Sequence, residues 1–290
     1  MSSRVDVALA TCARLPEPDP DAEPLLEALA RAGISAEFLA WDDPAADFSR
    51  ARLTLLRSTW NYPQLADEFG RWLDHTAAVS ELWNPLPVVR WNIHKSYLLD
   101  LERRGVAVAP TELVRRGDST SLRSIRSARN WEDVVVKPAV SAASYRTLRV
   151  RPGHDEAGES HLRLLAADGD VLVQRYLPSV EDHGERALVW IDGELTHSVR
   201  KSPRFEGQDE SVSEAQPISD AEAELAEEAI AAIDGEPLYA RIDAAPAPGG
   251  GPVVMELELI EPSLFFPQAP QALERLVEGI RRRLARRPPS

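Results

Sequence analysis

Tyr239 to Phe266 reads YARIDAAPAPGGGPVVMELELIEPSLFF, two short strand-like runs joined by a Pro/Gly-rich turn. Side chains alternate faces along a strand, so Arg241 and Asp243 share one face while Ala240 and Ile242 take the other. On the returning run Glu256 and Glu258 share a face, and Met255, Leu257 and Leu259 are expected on the opposite, buried side. The segment from Pro246 to Pro252 is long and flexible enough to fold the second strand back beside the first. Coincident polar faces would bring Asp243, Glu256 and Glu258 together. Three ionised carboxylates so close repel, and a divalent cation is the usual remedy. Oxygen ligands with no His or Cys nearby favour magnesium, with manganese a second choice, over zinc. The same alternation also suits a solvated edge hairpin, so the remainder of the chain must decide.

The 290-residue chain is long enough for two or three subdomains with substantial cores. Its 43% hydrophobic and 28% charged content is that of a soluble globular protein. A net charge of −14 argues against nucleic-acid and anionic-membrane binding in general. The single cysteine, Cys12, excludes an intramolecular disulfide framework. No run approaches the roughly 20 apolar residues of a membrane helix, and the N-terminus makes no convincing signal peptide, so a cytoplasmic location is expected.

Along the first ~90 residues, strand-like runs (Val5 to Ala10, Ala36 to Trp41, Leu53 to Arg57) alternate with helical patterns (Asp21 to Ala32, Leu65 to Val79), which predicts an open parallel sheet. The first turn carries no glycine, so no dinucleotide fingerprint is present, and the chain has neither a Walker A loop nor a nucleophile elbow. Arg57, Thr59, Trp60 and Asn61 fall at the end of the third strand, the edge where open α/β sheets gather ligands. They are candidate substrate contacts.

A helix is expected from Trp91 to Arg104, with Asn92 as N-cap and Lys95 in its first turn. A lysine there opposes the helix dipole, which suggests that it reaches an anion such as phosphate. Glu132 to Pro138 predicts a strand whose three valines imply burial on both faces, with Lys137 emerging at its end. The small-residue loop after it, including Ser141, can bring backbone N–H groups to a phosphate chain. Val171 to Pro178 reads as a strand entering a hinge. Arg186 to Ile191 and Glu194 to Arg200 form a hairpin through Asp192-Gly193. The polar loop Ser202 to Pro217 is placed to close over a site. Helices are expected from Asp220 to Ile233 and from Gln271 to Arg287.

A lysine early in a helix, a lysine ending a buried strand before a small-residue loop, a hinge strand VLVQRYL, and an R-x-D strand paired with E-x-E occur here in one order. That order resembles the ATP-grasp superfamily of carboxylate–amine ligases and covers nearly the whole chain. RSTWNY, NPLPVVRWNIHKSYLLDL, VVVKPAVSA and MELELIEPSLFF look most like the cyclo-ligases that form the cycloserine ring from O-ureidoserine. The resemblance implies an α/β fold (α+β in parts). Residues 1–90 would be an N-terminal open α/β domain, 91–175 a lid with its leading helix, and 176–290 a mostly antiparallel catalytic unit, with ATP held between the last two. It implies that Lys95, Lys137 and Ser141 contact phosphates, and that Gln174, Tyr176 and Leu177 line an adenine pocket. Glu181 would bind ribose, and Asp243, Glu256 and Glu258 would bind two magnesium ions. Arg186, Arg200, Lys201 and Arg241 would neutralise the transferring phosphate and the substrate carboxylate. Two departures stand out: Glu258 replaces the usual asparagine of the metal pair, and the phosphate loop lacks glycine.

Phosphoryl transfer to a carboxylate needs positioning and charge neutralisation, which these residue types supply. The acyl phosphate would be attacked by a nitrogen nucleophile, giving an amide or a closed ring, under a lid that excludes water. Glu261 and Ser263 follow the metal strand and are candidates to face a small amino-acid-like substrate. A dipeptide or amino-acid amide ligase, an inactive nucleotide-binding sensor, and an acidic interaction protein remain as alternatives. A homodimer is the default assembly.

Overall fold

The computed structural model describes residues 4–142, 144–202 and 211–286; part of the expected covering loop, residues 203–210, lies outside them. Three four-stranded sheets organise the chain. The first takes β1 (Val5–Thr11), β2 (Ala36–Ala40), β3 (Ala51–Ser58) and β4 (Glu81–Trp83) in the order β2-β1-β3-β4, all parallel. Its strands are short apolar runs because helices α1 (Ala22–Arg31) and α2 (Ala66–Val79) cover them, through Leu25 and Leu29 on α1 and Phe69 and Leu73 on α2. The parallel sheet matches the expectation from alternating strand and helix patterns.

The predicted helix from Trp91 to Arg104 is instead two. Helix α3 (Leu86–Ile93) ends before His94, and α4 (Tyr97–Arg103) begins after Ser96, so Lys95 sits in the link between them. Asn92 is therefore inside a helix, not an N-cap. Its amide is committed to a strand edge, as described below.

The second sheet is antiparallel and ordered β5-β8-β6-β7, from β5 (Thr111–Val114), β6 (Val134–Pro138), β7 (Leu148–Val150) and β8 (Val171–Arg175). Helices α5 (Leu122–Arg129) and α6 (Asp155–Asp168) cover one face, burying Leu122, Leu162 and Leu165 against Val134, Val136, Val171 and Val173. Gly158 of α6 permits this approach, since a Cβ there would lie 2.6 Å from Leu122 and 2.7 Å from Val150. The other face carries Val135, which is only half-buried. Burial on this second face of β6 is partial: Lys137 is buried, as are Gln174 and Leu172 beside it on β8, while Val135 stays half-exposed.

After the short helix α7 (Ser179–His183), β9 (Glu185–Ile191), β10 (Glu194–Lys201), β11 (Tyr239–Pro246) and β12 (Pro252–Glu258) build the third sheet, antiparallel in the order β10-β9-β11-β12. One face packs on α8 (Asp220–Ala231), through Leu225, Ala226 and Ala229 against Leu188, Ala240 and Ile242. The other shares a core with α9 (Pro270–Ala285) and the first sheet, joining Ala187, Val189 and Tyr239 to Leu9, Leu55 and Leu276. The first and third sheets therefore share one core, while the second has a core of its own and joins the third through Leu172, Leu113 and Ala139. No helix of the described residues is long and apolar enough to cross a membrane.

Candidate active site

β11 and β12 pair with Arg241 opposite Glu258 and Asp243 opposite Glu256, which puts all four side chains on one face. Between Asp243 and Ala244 the register slips, and Met255 is the extra residue of a β-bulge. The bulge removes Met255 from the buried row of Leu257 and Leu259. It packs instead beside Tyr176, Leu177 and Val180. The rest of the alternation is as read: Leu257 and Leu259 are fully buried on the α8 side. One oxygen from each of Asp243, Glu256 and Glu258 lies within 4.8 Å of the others.

Four cations neutralise this trio. Lys95 Nζ donates to Glu256 at 2.7 Å and Lys137 Nζ to the same oxygen at 3.1 Å. Lys201 Nζ reaches Asp243 at 2.7 Å and Glu185 at 3.1 Å. Arg241 forks onto Asp243 with two bonds of 2.9 Å and also donates to Glu258. Burial pushes the Glu256 carboxyl up, but Lys95 and Lys137 outweigh it and hold the group well below the carboxylate range. Burial likewise opposes ionisation of Asp243, and Arg241 and Lys201 prevail. Glu258 is pushed up to about 7, first by burial, which prevails over the opposing charge of Arg241, with the like charges of Asp243 and Glu256 adding to it. An all-oxygen set of this kind, with a neighbouring backbone held rigid, suits a hard divalent cation.

The open face of the second sheet looks toward this trio. Lys137 pairs with Leu172, and Gln174 with Val135 and Thr111, so these side chains share it. Gln174 is buried and donates to Thr111 Oγ1 at 3.0 Å. Tyr176 N–H donates to Asp133 O, while Tyr176 O and Leu177 N–H have no partner among the described residues. Arg149 lies 3.4 Å over the Tyr176 ring and donates to Glu181, which also accepts from Tyr176 Oη at 3.0 Å. Arg149 is the first cause of the lowered Glu181 carboxyl. Ser141 is buried and donates to Pro138 O at 3.1 Å, tying the small-residue loop to the end of β6.

Arg186 and Arg200 do not join the site. Arg200 pairs with Arg186 across β9 and β10, one residue out of step with the Lys201–Glu185 pair, so alternation turns both to the α8 face. There Arg186 donates to Glu222 and Ser198 at 2.7 Å each, and Arg200 is exposed. Of the four cations expected to neutralise phosphate, only Lys201 and Arg241 are at the carboxylates.

The Arg57 to Asn61 segment is engaged within the protein. Arg57 donates to Pro262 O at 3.1 Å, and Trp60 Nε1 to Glu261 O at 3.0 Å. Asn61 is held by Trp41 and Asp42, and Thr59 is fully buried. Arg57 and Trp60 thus shape the loop after β12. Arg241 Nη1 also reaches Ser263 O at 3.4 Å.

Several residues that set this geometry carry no local sequence signal. The outer edge of β12 is sealed by side chains: Asn92 Nδ2 donates to Leu257 O at 2.8 Å and its Oδ1 accepts from Leu259 N at 2.9 Å. Tyr97 Oη accepts from Leu257 N, and Asn84 Nδ2 donates to Leu259 O and Tyr239 O. Fully buried Asp21 accepts from the N–H groups of Leu264, Phe265 and Phe266, fixing the far side of the same loop. Gly184 has φ +67°, and a Cβ there would stand 2.4 Å from Lys201 O, so only glycine lets α7 turn into β9 beneath the catalytic-face lysine.

Three sheets with a cation-neutralised acidic trio between the second and third define an ATP-grasp fold. D-alanine–D-alanine ligase from Bacillus anthracis superimposes with a TM-score of 0.69 at 15% identity, covering 97% of each chain. That likeness shows the fold alone; with the more similar relatives that follow, the protein is an ATP-dependent C–N ligase. Residues 7–84 match the family model described as D-cycloserine synthetase DcsG, N-terminal domain. The cycloserine biosynthesis protein DcsG of Streptomyces lavendulae is 33% identical over 282 residues, 92% of this chain and 94% of that one. The crystal structure of D-cycloserine synthetase DcsG superimposes with a TM-score of 0.89 at 32% identity, covering 96% of this chain and 99% of that one. The chain belongs to the DcsG family.

Proposed function

We propose that the protein uses ATP and magnesium to convert the carboxylate of a small amino-acid-like substrate to an acyl phosphate, which a nitrogen of the same molecule attacks to close a ring, as from O-ureidoserine. The observation that carries this reading is the trio Asp243, Glu256 and Glu258 interleaved with Lys95, Lys137, Lys201 and Arg241. The 33% identity to a cycloserine biosynthesis protein supports the ring-closing form.

In this reading Lys95 and Lys137 leave Glu256 for the nucleotide phosphates. Tyr176 O and Leu177 N–H bind the adenine edge, and the half-buried Val135 and Met255 flank its faces. Gln174 holds the hinge strand through Thr111, Ser141 steadies the phosphate loop, and Glu181 exchanges Arg149 for ribose hydroxyls. Asp243, Glu256 and Glu258 hold two magnesium ions, with manganese an acceptable substitute, and the ions supply charge neutralisation at the phosphates. Lys201 and Arg241 add positive charge where the phosphoryl group transfers. Boundaries near residues 90 and 175 belong to the same proposal, with the second sheet as lid.

ADP release would be measured with magnesium and ATP across a panel of amino acids, including both enantiomers of O-ureidoserine, alongside Asp243→Asn and Glu256→Gln. Stimulation by one substrate, lost in both variants, is expected, and mass spectrometry should find a product smaller by one water than the substrate, the carboxylate oxygen leaving with the phosphate. An intermolecular amide would instead indicate a dipeptide-type ligase. ATP binding with no stimulated release by any carboxylate would refute the proposal.

A further inference from the structure

Glu261 stands on the loop that follows β12, and that loop is fixed on every side. Tyr239 Oη donates to Ile260 O at 2.9 Å, Trp60 to Glu261 O, Arg57 to Pro262 O, and Asp21 takes the three N–H groups that follow Ser263. The backbone under Glu261 is therefore rigid, and the residue is only 8% exposed. Its carboxylate has no hydrogen-bond or ion-pair partner among the described residues, and its oxygens are not among the fully enclosed orphan atoms, so they keep an opening through which a ligand can reach them. A buried carboxyl in that state is costly, and such groups are ordinarily paired.

Among the described residues no cation satisfies it. The positive charges that its carboxyl senses are Lys95 and Arg241, which are engaged by Glu256 and by Asp243 with Glu258. Glu261 also falls outside the group of carboxylate oxygens that lie within 4.8 Å of one another, so it is not a fourth member of the metal set. A structural role would show a donor at hydrogen-bond distance, as Asp21 shows three.

We infer that Glu261 is the counter-charge for an ammonium group of the substrate, so that the enzyme selects a carboxylate that also bears a free amine. This rests on the ligase reading above and adds the chemical class of the group recognised. An α-ammonium lies two bonds from the carboxyl carbon. A fixed carboxyl beside the acidic trio, giving up its proton as an ammonium docks, would hold the amine, and so point the carboxylate at the phosphates. The rigid loop makes this orientation independent of lid position.

The test is titration calorimetry in the presence of magnesium and a non-hydrolysable ATP analogue, with serine, O-ureidoserine and their N-acetyl counterparts as probes. Wild type, Glu261→Gln and Glu261→Asp would be compared. N-acetylation should weaken binding to wild type by roughly 10- to 100-fold. It should change binding to Glu261→Gln little, with Glu261→Asp recovering part of the preference and all three binding the nucleotide alike. If acetylation penalises wild type and Glu261→Gln equally, the inference falls while the ligase reading stands. If Glu261→Gln loses affinity for the metal–nucleotide complex, the carboxylate belongs to the metal set and the inference is also overturned. Nucleotide binding with no response to any amino acid in any variant would sink the ligase reading, and this inference with it.

Discussion

Replacing Asn92 with alanine should cost the protein more stability than any surface substitution, and should do so through the metal strand. The Asn92 amide is 6% exposed and spans Leu257 O and Leu259 N with bonds of 2.8 and 2.9 Å. Truncation leaves one buried carbonyl and one buried N–H without partners. Each orphan costs about 1–3 kcal/mol, and partial access of water to the gap left by the amide favours the lower half, so about 3 kcal/mol is expected. Asn92→Asp should be no milder, because it keeps the acceptor for Leu259 N but sets an oxygen against Leu257 O. Urea unfolding followed by tryptophan fluorescence measures the loss, with Arg71→Ala as an exposed control expected within about 0.5 kcal/mol of wild type. Because Leu257 and Leu259 flank Glu258, a magnesium titration of ADP release should shift to higher concentration in the same variant. A loss below about 1 kcal/mol, or an unchanged magnesium requirement, would refute the claim that this amide sets the register of β12.

Lys201→Ala should lower turnover by roughly 10²–10³-fold, whereas Arg200→Ala should leave it near wild type in the same ADP-release assay, because the two side chains lie on opposite faces of β10. In protein free of nucleotide and metal, Glu261 is pushed up to about 8 by burial and then by Glu258, against Lys95 and Arg241. A carboxyl raised on folding stabilises below its unfolded value and loses that contribution as pH climbs through the folded one. The stability of wild type relative to Glu261→Gln should therefore fall between about pH 5 and pH 8; a rise over that window in urea midpoints would contradict the assigned burial. Gly184→Ala drives a Cβ against Lys201 O and should depress both the unfolding midpoint and turnover; retention of full activity would show that the turn relaxes freely.

The acidic hairpin was readable because its signal is local: alternation puts Asp243, Glu256 and Glu258 on one face, and the Pro/Gly turn supplies the return. Lys137 was readable for a similar reason, as a charge at the end of an apolar strand. Arg186 and Arg200 lie on the α8 face because strand parity, not sign of charge, decides which way a side chain turns, and adjacent Arg200 and Lys201 take opposite faces. The bulge at Met255 depends on how many residues the partner strand offers, which one run of sequence does not contain. Asn84, Asn92 and Asp21 act on backbone more than 150 residues away, so nothing in their own neighbourhood announces the role. The break between α3 and α4 belongs to the same class: Lys95 N–H donates to Ala139 O, a contact that competes with helix continuation only once the second sheet is folded.

Sealing of β12 by side chains has a bearing on how copies of the protein can meet. A bare strand rim is a template for a second chain, and continuous sheets across two molecules are a common route to dimers and to fibrils. Here Asn84, Asn92 and Tyr97 occupy the rim on the β12 side, and the opposite rim is engaged at Ser198 and Lys201 by bridges to Gln216 and Val212. Growth of the third sheet from one molecule into the next is closed at both ends. Self-association, where it occurs, has to use another sheet's edge or a side-chain surface, and loss of the Asn92 amide would weaken the seal on the rim that borders Glu256 and Glu258.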